Sequence, residues 1–304
     1  MGDGEVTQVP PPRSRAYYVS KHLAHRLQAA LAWRAAGGYA RWQTGTRIVA
    51  YHRVSVARDE LAVAPAAFRR QMESLLASGA RAVSLPEATG ALERGSDERL
   101  ACVTFDDAYH DNLENAIPVL RELGIPATIF VATSITEGTE RLYWYGRHEE
   151  PRVLSWDDLD SIAGQPLFTI GAHSRTHPAL PELDDDAAWD EIAGSKAILE
   201  SRLGRPVTLF AYPAGLYGER EMRMVRDAGY AAAVTTEPGL NTPSRPAERL
   251  YRMLIDRLDT GRMFEAKLAG CLDRPWGADN LPLSRGRTTS RDTRLRSAAP
   301  RGSR

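Results

Sequence analysis

Carboxylates and imidazoles stand directly after apolar runs of this sequence. The run LACVTF is followed by Asp106 and Asp107, and the run LFTIGA leads into HSRTH, which contains His173 and His177. Two imidazoles four residues apart, together with one carboxylate, form a ligand set that suits a divalent metal ion. Three protein ligands leave positions open for water, as catalytic metal sites do. A cation, or a task that needs charge, would also explain two adjacent carboxylates at the end of an apolar run.

Each motif also has a plain structural interpretation. HSRTH by itself could be a loop with exposed or capping histidines, and FDD could open a helix, where acids favour the dipole. Two further runs end in polar groups, because RIVAY is followed by His52 and VTLFAY contains Tyr212. Four such endings in one domain favour a shared site.

The elements between these residues indicate how they could meet. From residue 47 to residue 256, short apolar runs alternate with helical patterns that often end at glycine. This alternation is typical of a parallel sheet buried on both faces, and so many units in one segment favour an α/β barrel. The carboxyl ends of barrel strands share one face, which carries the active site. We therefore expect these side chains to converge.

Composition limits the functional classes. The 304 residues are 43% hydrophobic, and 39 basic side chains balance 39 acidic ones, so no nucleic-acid partner is expected. No apolar run approaches the roughly 20 residues that span a bilayer, and the first residues lack the apolar stretch of a secretion signal. The expected location is cytoplasmic, with membrane association left open.

The chain divides into four predicted segments. We expect a disordered N-terminus over residues 1–15, a helical segment over 16–45, a barrel over 46–275 and an Arg-rich disordered tail over 276–304. The helical segment has a basic face and an apolar stripe. We expect the helical segment to pack against the barrel and the tail to be solvated. Peripheral contact with a membrane through either segment is the alternative.

The motifs TFDDA (104–108), HSRTH (173–177) and FAYPAG (210–215) resemble those of the polysaccharide deacetylases. This family is also called NodB-like, or family four of the carbohydrate esterases. The element YHRV (51–54) resembles the branch that contains the biofilm poly-N-acetylglucosamine deacetylases. The resemblance covers residues 47–256 and implies an α/β fold, a distorted (β/α)7 barrel preceded by the N-terminal helical extension.

The resemblance also implies a role for each site residue. Asp107, His173 and His177 would bind the metal, Zn²⁺ or another divalent ion. Asp106 would be the general base, and His52 the acid that protonates the leaving amine. The backbone N–H of Tyr212 would stabilise the oxyanion. No organic cofactor is expected.

Three departures from the family pattern affect these roles. Ala108 replaces the usual glycine after the two aspartates, which matters only if this residue needs a positive φ. Ala211 stands where many members carry the arginine that orients the base, so the group that orients Asp106 is unknown. The Leu-x-His element of the commoner branch has no match, which leaves His52 as the candidate acid.

These features lead to one prediction and two alternatives. The predicted function is a metal-dependent hydrolase that removes N-acetyl groups from amino sugars of a glycan. The alternatives are a related amide hydrolase acting on a small metabolite, such as an acetylated polyamine or a cyclic amide, and a non-catalytic glycan-binding barrel. The aromatic stretch Tyr143 to Tyr145 either stacks on sugar rings or plugs its loop in place.

Overall fold

The computed structural model describes residues 44–145, 150–259 and 261–273, together with Leu31, Trp33, Arg34, Gly37 and Trp42. These residues belong to one compact unit, Met1–Arg274. The predicted disordered N-terminus (1–15) and Arg-rich tail (276–304) lie outside the described residues. So does most of the predicted helical segment 16–45, of which Leu31, Trp33 and Arg34 are helical. The predicted boundaries of the four segments stay predictions.

A curled parallel sheet forms the centre of the molecule. The strands of the structure are β1 (Gly45–Tyr51), β2 (Arg53–Val54), β3 (Ala62–Val63), β4 (Arg81–Ala82), β5 (Arg99–Phe105), β6 (Ala127–Val131), β7 (Phe168–Ala172), β8 (Leu209–Ala211), β9 (Ala232–Val234) and β10 (Met253–Leu254). The sheet has the strand order β10, β1, β5, β6, β7, β8, β9, and β4 pairs with the first half of β5. The strands β2 and β3 form a separate parallel pair.

Helices alternate with these strands along the chain. The α-helices are α1 (Pro65–Ala77), α2 (Leu85–Glu93), α3 (Asp111–Asn115), α4 (Ile117–Leu123), α5 (Thr133–Thr136), α6 (Trp156–Ala163), α7 (Asp185–Trp189), α8 (Ser195–Leu203), α9 (Glu219–Asp227) and α10 (Arg262–Leu268). A π-helical turn, Asp190–Gly194, joins α7 to α8. Short 3-10 turns occupy Tyr143–Tyr145, Leu180–Glu182, Pro213–Gly215 and Ala247–Arg249.

Residues just ahead of β10 bring the two ends of the sheet together. Leu250 pairs with Val234 of β9, and its N–H and C=O bond the backbone of residues 233 and 235. The strand β10 then pairs with β1. The expected distorted (β/α)7 barrel is therefore confirmed.

The two faces of the sheet bury two apolar clusters, because successive side chains of a strand point to opposite faces. On β5, Ala101, Val103 and Phe105 pack in the cluster that includes the buried residues of α1 and α4. Leu100 and Cys102 pack in the other cluster, with α2. Asp106 stands four residues after Cys102, so its side chain points to the same face of the sheet as that of Cys102.

Helix termini use the caps that the sequence offers. Ser155 forms a capping box with Asp158 at the start of α6. The helices α4 and α8 end at Gly124 and Gly204, which have φ values of 65° and 62° and so adopt the left-handed conformation that glycine tolerates best. In the part of the chain that the structure describes, no helix has both the length and the apolar character needed to cross a membrane.

Candidate active site

The predicted site residues gather at the carboxyl ends of the central strands. His52 follows β1, Asp106 and Asp107 follow β5, and His173 follows β7. Backbone pairing continues past the strands there, because the N–H of Asp106 donates to the C=O of Tyr51 at 2.9 Å. The strands thus fix the backbone at the points where these side chains begin.

Asp107, His173 and His177 form a compact group of metal-binding character. The Oδ1 atom of Asp107 lies 3.6 Å from Nε2 of His173 and 3.6 Å from Nε2 of His177. The three ligand atoms lie within 4.8 Å of one another, and all three residues are buried. No other group of three such side chains in the described residues has this arrangement.

The polar atoms of this group fit a cation. Oδ1 of Asp107 is buried without a hydrogen-bond partner, although two imidazole nitrogens face it. Separations of 3.6 Å are too long for hydrogen bonds. Tetrahedral zinc with ligands at about 2.1 Å puts neighbouring ligand atoms about 3.4 Å apart. The residues present therefore suit a divalent ion bound by one carboxylate oxygen and two imidazole nitrogens.

The strand β8 orients His173. Nδ1 of His173 lies 2.8 Å from the carbonyl oxygen of Ala211, so Nδ1–H donates there and Nε2 keeps its lone pair toward Asp107. This second contact of an imidazole is typical of metal ligands. Ala211, which replaces the expected arginine, contributes through its backbone.

Tyr212 has a different environment from the one predicted. Its backbone N–H donates to the C=O of Val234 at 3.2 Å, in the pairing of β8 with β9. Its hydroxyl donates to the C=O of Glu248 at 2.8 Å. In this conformation neither donor is available to a substrate oxyanion, because strand pairing has already used the N–H. An oxyanion role for Tyr212 would require this hydrogen bond to be exchanged, and the role stays a prediction from the sequence.

Arg252 is the group that orients Asp106, for which the sequence offered no candidate. The two terminal nitrogens of Arg252 donate to the two oxygens of Asp106 at 2.6 and 2.8 Å, and Nε donates to the C=O of Thr235 at 2.7 Å. Arg252 is fully buried. It directly precedes β10, where Met253 pairs with Val49 of β1. Its position inside the run LYRMLI, an arginine within an apolar segment, is the signal that could have identified it.

Arg252 and burial shift the pKa values of Asp106 and Asp107 in opposite directions. Burial alone would raise the pKa of Asp106, but Arg252 and then His173 hold this pKa well below its ordinary value. Burial, and then the charge of Asp106, raise the pKa of Asp107 well above its ordinary value of 3.8. Asp106 is therefore ionised at neutral pH, whereas Asp107 gains most from a bound cation.

His52 faces a different carboxylate oxygen of Asp107 from the one that the two imidazole ligands face. Its Nε2 is 3.9 Å from Oδ2 of Asp107, whereas the ligands face Oδ1. Its side chain is 17% exposed, the most of the site residues, and its backbone C=O accepts from Nδ2 of Asn112 at 2.7 Å. Burial lowers the pKa of His52 to about 4, so the free imidazole is neutral at pH 7.

The backbone at the site is unusual for residues with side chains. Asp107, Ala108, Ser174 and His177 have φ values of 63°, 50°, 63° and 62°. Such left-handed conformations outside glycine tend to cluster at functional sites. Ala108 does need a positive φ, so the replacement of the family's glycine has a conformational cost at this position.

An aromatic turn, Tyr143–Tyr145, borders the metal-binding group. The ring of Trp144 lies 4.7 Å from that of His177, and its Nε1 donates to the hydroxyl of Tyr109 at 3.0 Å. Tyr145 donates to Asp59 at 2.5 Å, while Tyr143 is 63% exposed. Tyr145 thus fits the predicted plug, and Tyr143 is free to meet a ligand.

Fold and site together define an α/β barrel with a two-histidine, one-aspartate site beside an ionised carboxylate. Residues 93–233 match the family model for polysaccharide deacetylase. Residues 93–233 of the chain therefore form a polysaccharide deacetylase domain.

Relatives and solved structures agree with this family. YxkH of Bacillus subtilis (strain 168) is 29% identical over 222 residues, 72% of this chain and 74% of YxkH. The poly-beta-1,6-N-acetyl-D-glucosamine N-deacetylase of Staphylococcus epidermidis is 26% identical over 62% of this chain and 66% of its own length. BC0361, a polysaccharide deacetylase from Bacillus cereus, superposes with a TM-score of 0.61 at 25% identity, covering 74% of this chain and 69% of BC0361. IcaB from Ammonifex degensii shares the fold, with a TM-score of 0.61 at 24% identity over 74% of this chain and 97% of IcaB.

Proposed function

We propose that this protein is a metal-dependent N-deacetylase that hydrolyses the acetamido group of amino sugars in a glycan. The observation that carries the proposal is the unpartnered Oδ1 of Asp107, placed 3.6 Å from two imidazole nitrogens and next to an ionised Asp106. The named activity of the Staphylococcus epidermidis relative supports a poly-β-1,6-linked N-acetylglucosamine as the first substrate to test.

The proposed ligands are Asp107, His173 and His177, and we propose zinc as the ion, because two nitrogens and one oxygen with open positions suit it. A bound divalent cation would polarise the acetyl carbonyl and lower the pKa of a bound water from 15.7 to about 7. The remaining steps belong to side chains of this chain.

Asp106 is proposed as the general base. Its low pKa makes it a weak base, so it can take a proton from water only if that water has been made acidic. The base and the metal site therefore depend on each other. Arg252 would keep the carboxylate ionised and fix its orientation through two hydrogen bonds.

His52 is proposed as the general acid. Attack of water on the acetyl carbon and cleavage of the C–N bond yield acetate and an amine, and the nitrogen needs a proton because an amine anion leaves poorly. Since His52 is neutral in the free protein, it must gain a proton during turnover before it donates one. An imidazole suits this exchange.

The exposed Tyr143 is proposed to stack on a sugar ring. Its ring lies 6.2 Å from that of His177, and the ring of Trp144 in the same turn lies 4.7 Å from the same imidazole. A sugar whose acetamido group enters the site would meet the face of Tyr143. The predicted cytoplasmic location, the membrane contact and the absence of a nucleic-acid partner stay predictions from the sequence.

Metal analysis combined with acetate release tests the proposal. The purified chain should contain about one zinc per molecule and release acetate from poly-β-1,6-N-acetylglucosamine, assayed beside chitooligosaccharides, peptidoglycan fragments and acetylpolyamines. Asp106→Asn should abolish release and keep the metal, whereas His177→Ala should lose the metal. His110→Ala is the matched control, because His110 contacts Glu114 on α3 and should leave both properties unchanged.

Three outcomes would contradict the proposal. Metal retained in full by His177→Ala would remove that residue as a ligand. Acetate release from acetylpolyamines alone would favour the small-metabolite amidase. Stoichiometric metal without hydrolysis of any of these amides would favour the non-catalytic barrel.

A further inference from the structure

The metal-binding turn HSRTH contains two residues in a strained backbone conformation and is hydrogen-bonded to neighbouring elements. Ser174 and His177 both adopt left-handed φ values, 63° and 62°, which are costly for residues with a Cβ. The N–H of His177 donates to Oγ of Ser174 at 3.0 Å. The carbonyls of Ser174 and Arg175 accept from the backbone N–H groups of Thr133 and Ser134 at 3.3 and 2.9 Å.

Three further donors of this turn converge on one buried carboxylate. Oε2 of Glu191 accepts from the N–H of Arg175 at 2.8 Å and from the N–H of Thr176 at 2.9 Å. Oε1 of Glu191 accepts from Oγ1 of Thr176 at 2.7 Å. Glu191 is 9% exposed. The two residues it contacts lie between the ligands His173 and His177, but Glu191 itself is outside every motif of the sequence.

A π-helical turn delivers Glu191 to this position. Glu191 belongs to Asp190–Gly194, and the carbonyl of Ile192 in that turn accepts from Oγ of Ser195 at 2.9 Å and from the hydroxyl of Tyr230 at 3.0 Å. The carbonyl of this wider turn thus accepts hydrogen bonds from two buried hydroxyls. π turns inside α-helices often occur at functional sites.

The π turn also packs closely against the metal-binding turn. A Cβ on Gly194 would lie 3.0 Å from Cδ of Arg175 and 3.1 Å from Oδ1 of Asp190. Only a residue without a side chain fits there without displacing its neighbours. The helix and the turn are therefore held together on both sides of Glu191.

We infer that Glu191 is a positioning residue that sets the orientation of His177 for metal binding. This inference rests on the metal site of the proposed function. Without the carboxylate, two buried N–H groups would lose their acceptor, and the turn would relax away from the strained φ values. His177 would then approach the ion with altered geometry, although none of the three ligands has changed.

The test compares metal affinity among variants by competition with a chromogenic chelator. Glu191→Ala should raise the zinc dissociation constant about 10- to 100-fold, the usual cost of losing an outer partner of a ligand. Glu191→Gln should stay close to the unmodified chain, because its amide oxygen can accept both N–H groups while its NH₂ donates to Thr176. Asp190→Asn is the matched control, because Asp190 contacts the Arg175 guanidinium at the surface and not the backbone of the turn.

A spectroscopic measurement separates positioning from general stability. With Co²⁺ in place of zinc, Glu191→Ala should change the intensity and position of the visible bands, whereas Glu191→Gln and Asp190→Asn should not. If Glu191→Ala does not fold, Thr176→Val removes one of the three donors and should weaken zinc binding a few fold.

Two results would overturn the inference. A Glu191→Ala protein that melts at lower temperature yet binds zinc and Co²⁺ like the unmodified chain would show a purely structural role. Thr176→Val with unchanged affinity would argue against the network in the same way. A failure of the unmodified chain to bind zinc would instead refute the proposed metal site, and this inference with it.

Discussion

Replacing Arg252 by Met should destabilise the protein and inactivate it at the same time. The substitution removes two hydrogen bonds to Asp106, at 2.6 and 2.8 Å, and one to the C=O of Thr235 at 2.7 Å. Arg252 is fully buried, so the Asp106 carboxylate would remain as an unpaired buried charge. Breaking a buried pair on one side costs about 3–5 kcal/mol, and this is the expected loss in the free energy of unfolding at pH 7.

The loss should shrink as the pH falls. In the unmodified chain the pKa of Asp106 lies well below 3.8, so its contribution to stability is present above pH 3.8 and is lost only below it. In Arg252→Met the charge that opposes burial most strongly is gone, so burial shifts this pKa upward, and we expect it to exceed the unfolded value. The folded variant then binds a proton more readily than its unfolded chain and gains stability as the pH falls toward 3.8.

Urea unfolding at pH 7 and pH 5, followed by tryptophan fluorescence, measures both effects. The double variant Arg252→Met with Asp106→Asn should be less destabilised than the sum of the single variants by about 1.5–3 kcal/mol, because the buried charges are removed together. Arg226→Met is the matched control, since Arg226 pairs with Glu248 at the surface, where water screens the pair, and its loss should change the free energy of unfolding little.

Turnover gives the second readout. Arg252→Met should lower kcat for acetate release about 10²- to 10⁴-fold, because the Asp106 carboxylate loses the two hydrogen bonds that fix its orientation as a base, while zinc content stays stoichiometric. A variant within about 1 kcal/mol of the unmodified chain, or additive costs in the double variant, would refute this reasoning.

Three further predictions concern other parts of the site. His52→Ala should keep its zinc and slow amide hydrolysis about 10²- to 10⁴-fold while an activated ester loses much less; equal losses on both substrates would contradict an acid role. Zinc binding to the metal-free protein should release close to one proton at pH values between 3.8 and the raised pKa of Asp107, because the ion needs that carboxylate ionised. The pKa of His177 is lowered to about 3, so this imidazole carries no proton to displace in the same pH range. Calorimetry in two buffers of different ionisation enthalpy measures this proton, and its absence at every pH would show that burial does not raise the pKa of Asp107. Tyr143→Ala should raise KM for a glycan about two- to tenfold with kcat and melting temperature unchanged; an unaltered KM would show that the ring does not contact the sugar.

The sequence alone determined the fold and the metal-binding group. The alternation of apolar runs with helices requires a parallel sheet buried on both faces, and such a sheet collects the residues after its strands at one edge. Asp107 is the second residue after β5, His173 directly follows β7, and His177 lies one short turn beyond. Their meeting therefore needed only the correct assignment of strand ends.

The tertiary structure decided which groups hold those residues in place. Arg252, just before β10, reaches Asp106 from 146 residues further along the chain, and Glu191 reaches the metal-binding turn from a π-helical turn. The N–H of Tyr212 is used by β9, a pairing that depends on strand order and register. Local sequence patterns report which face of an element is apolar. They do not report which side chain from a distant element fills the space beside a given donor or acceptor, because that depends on how the elements pack.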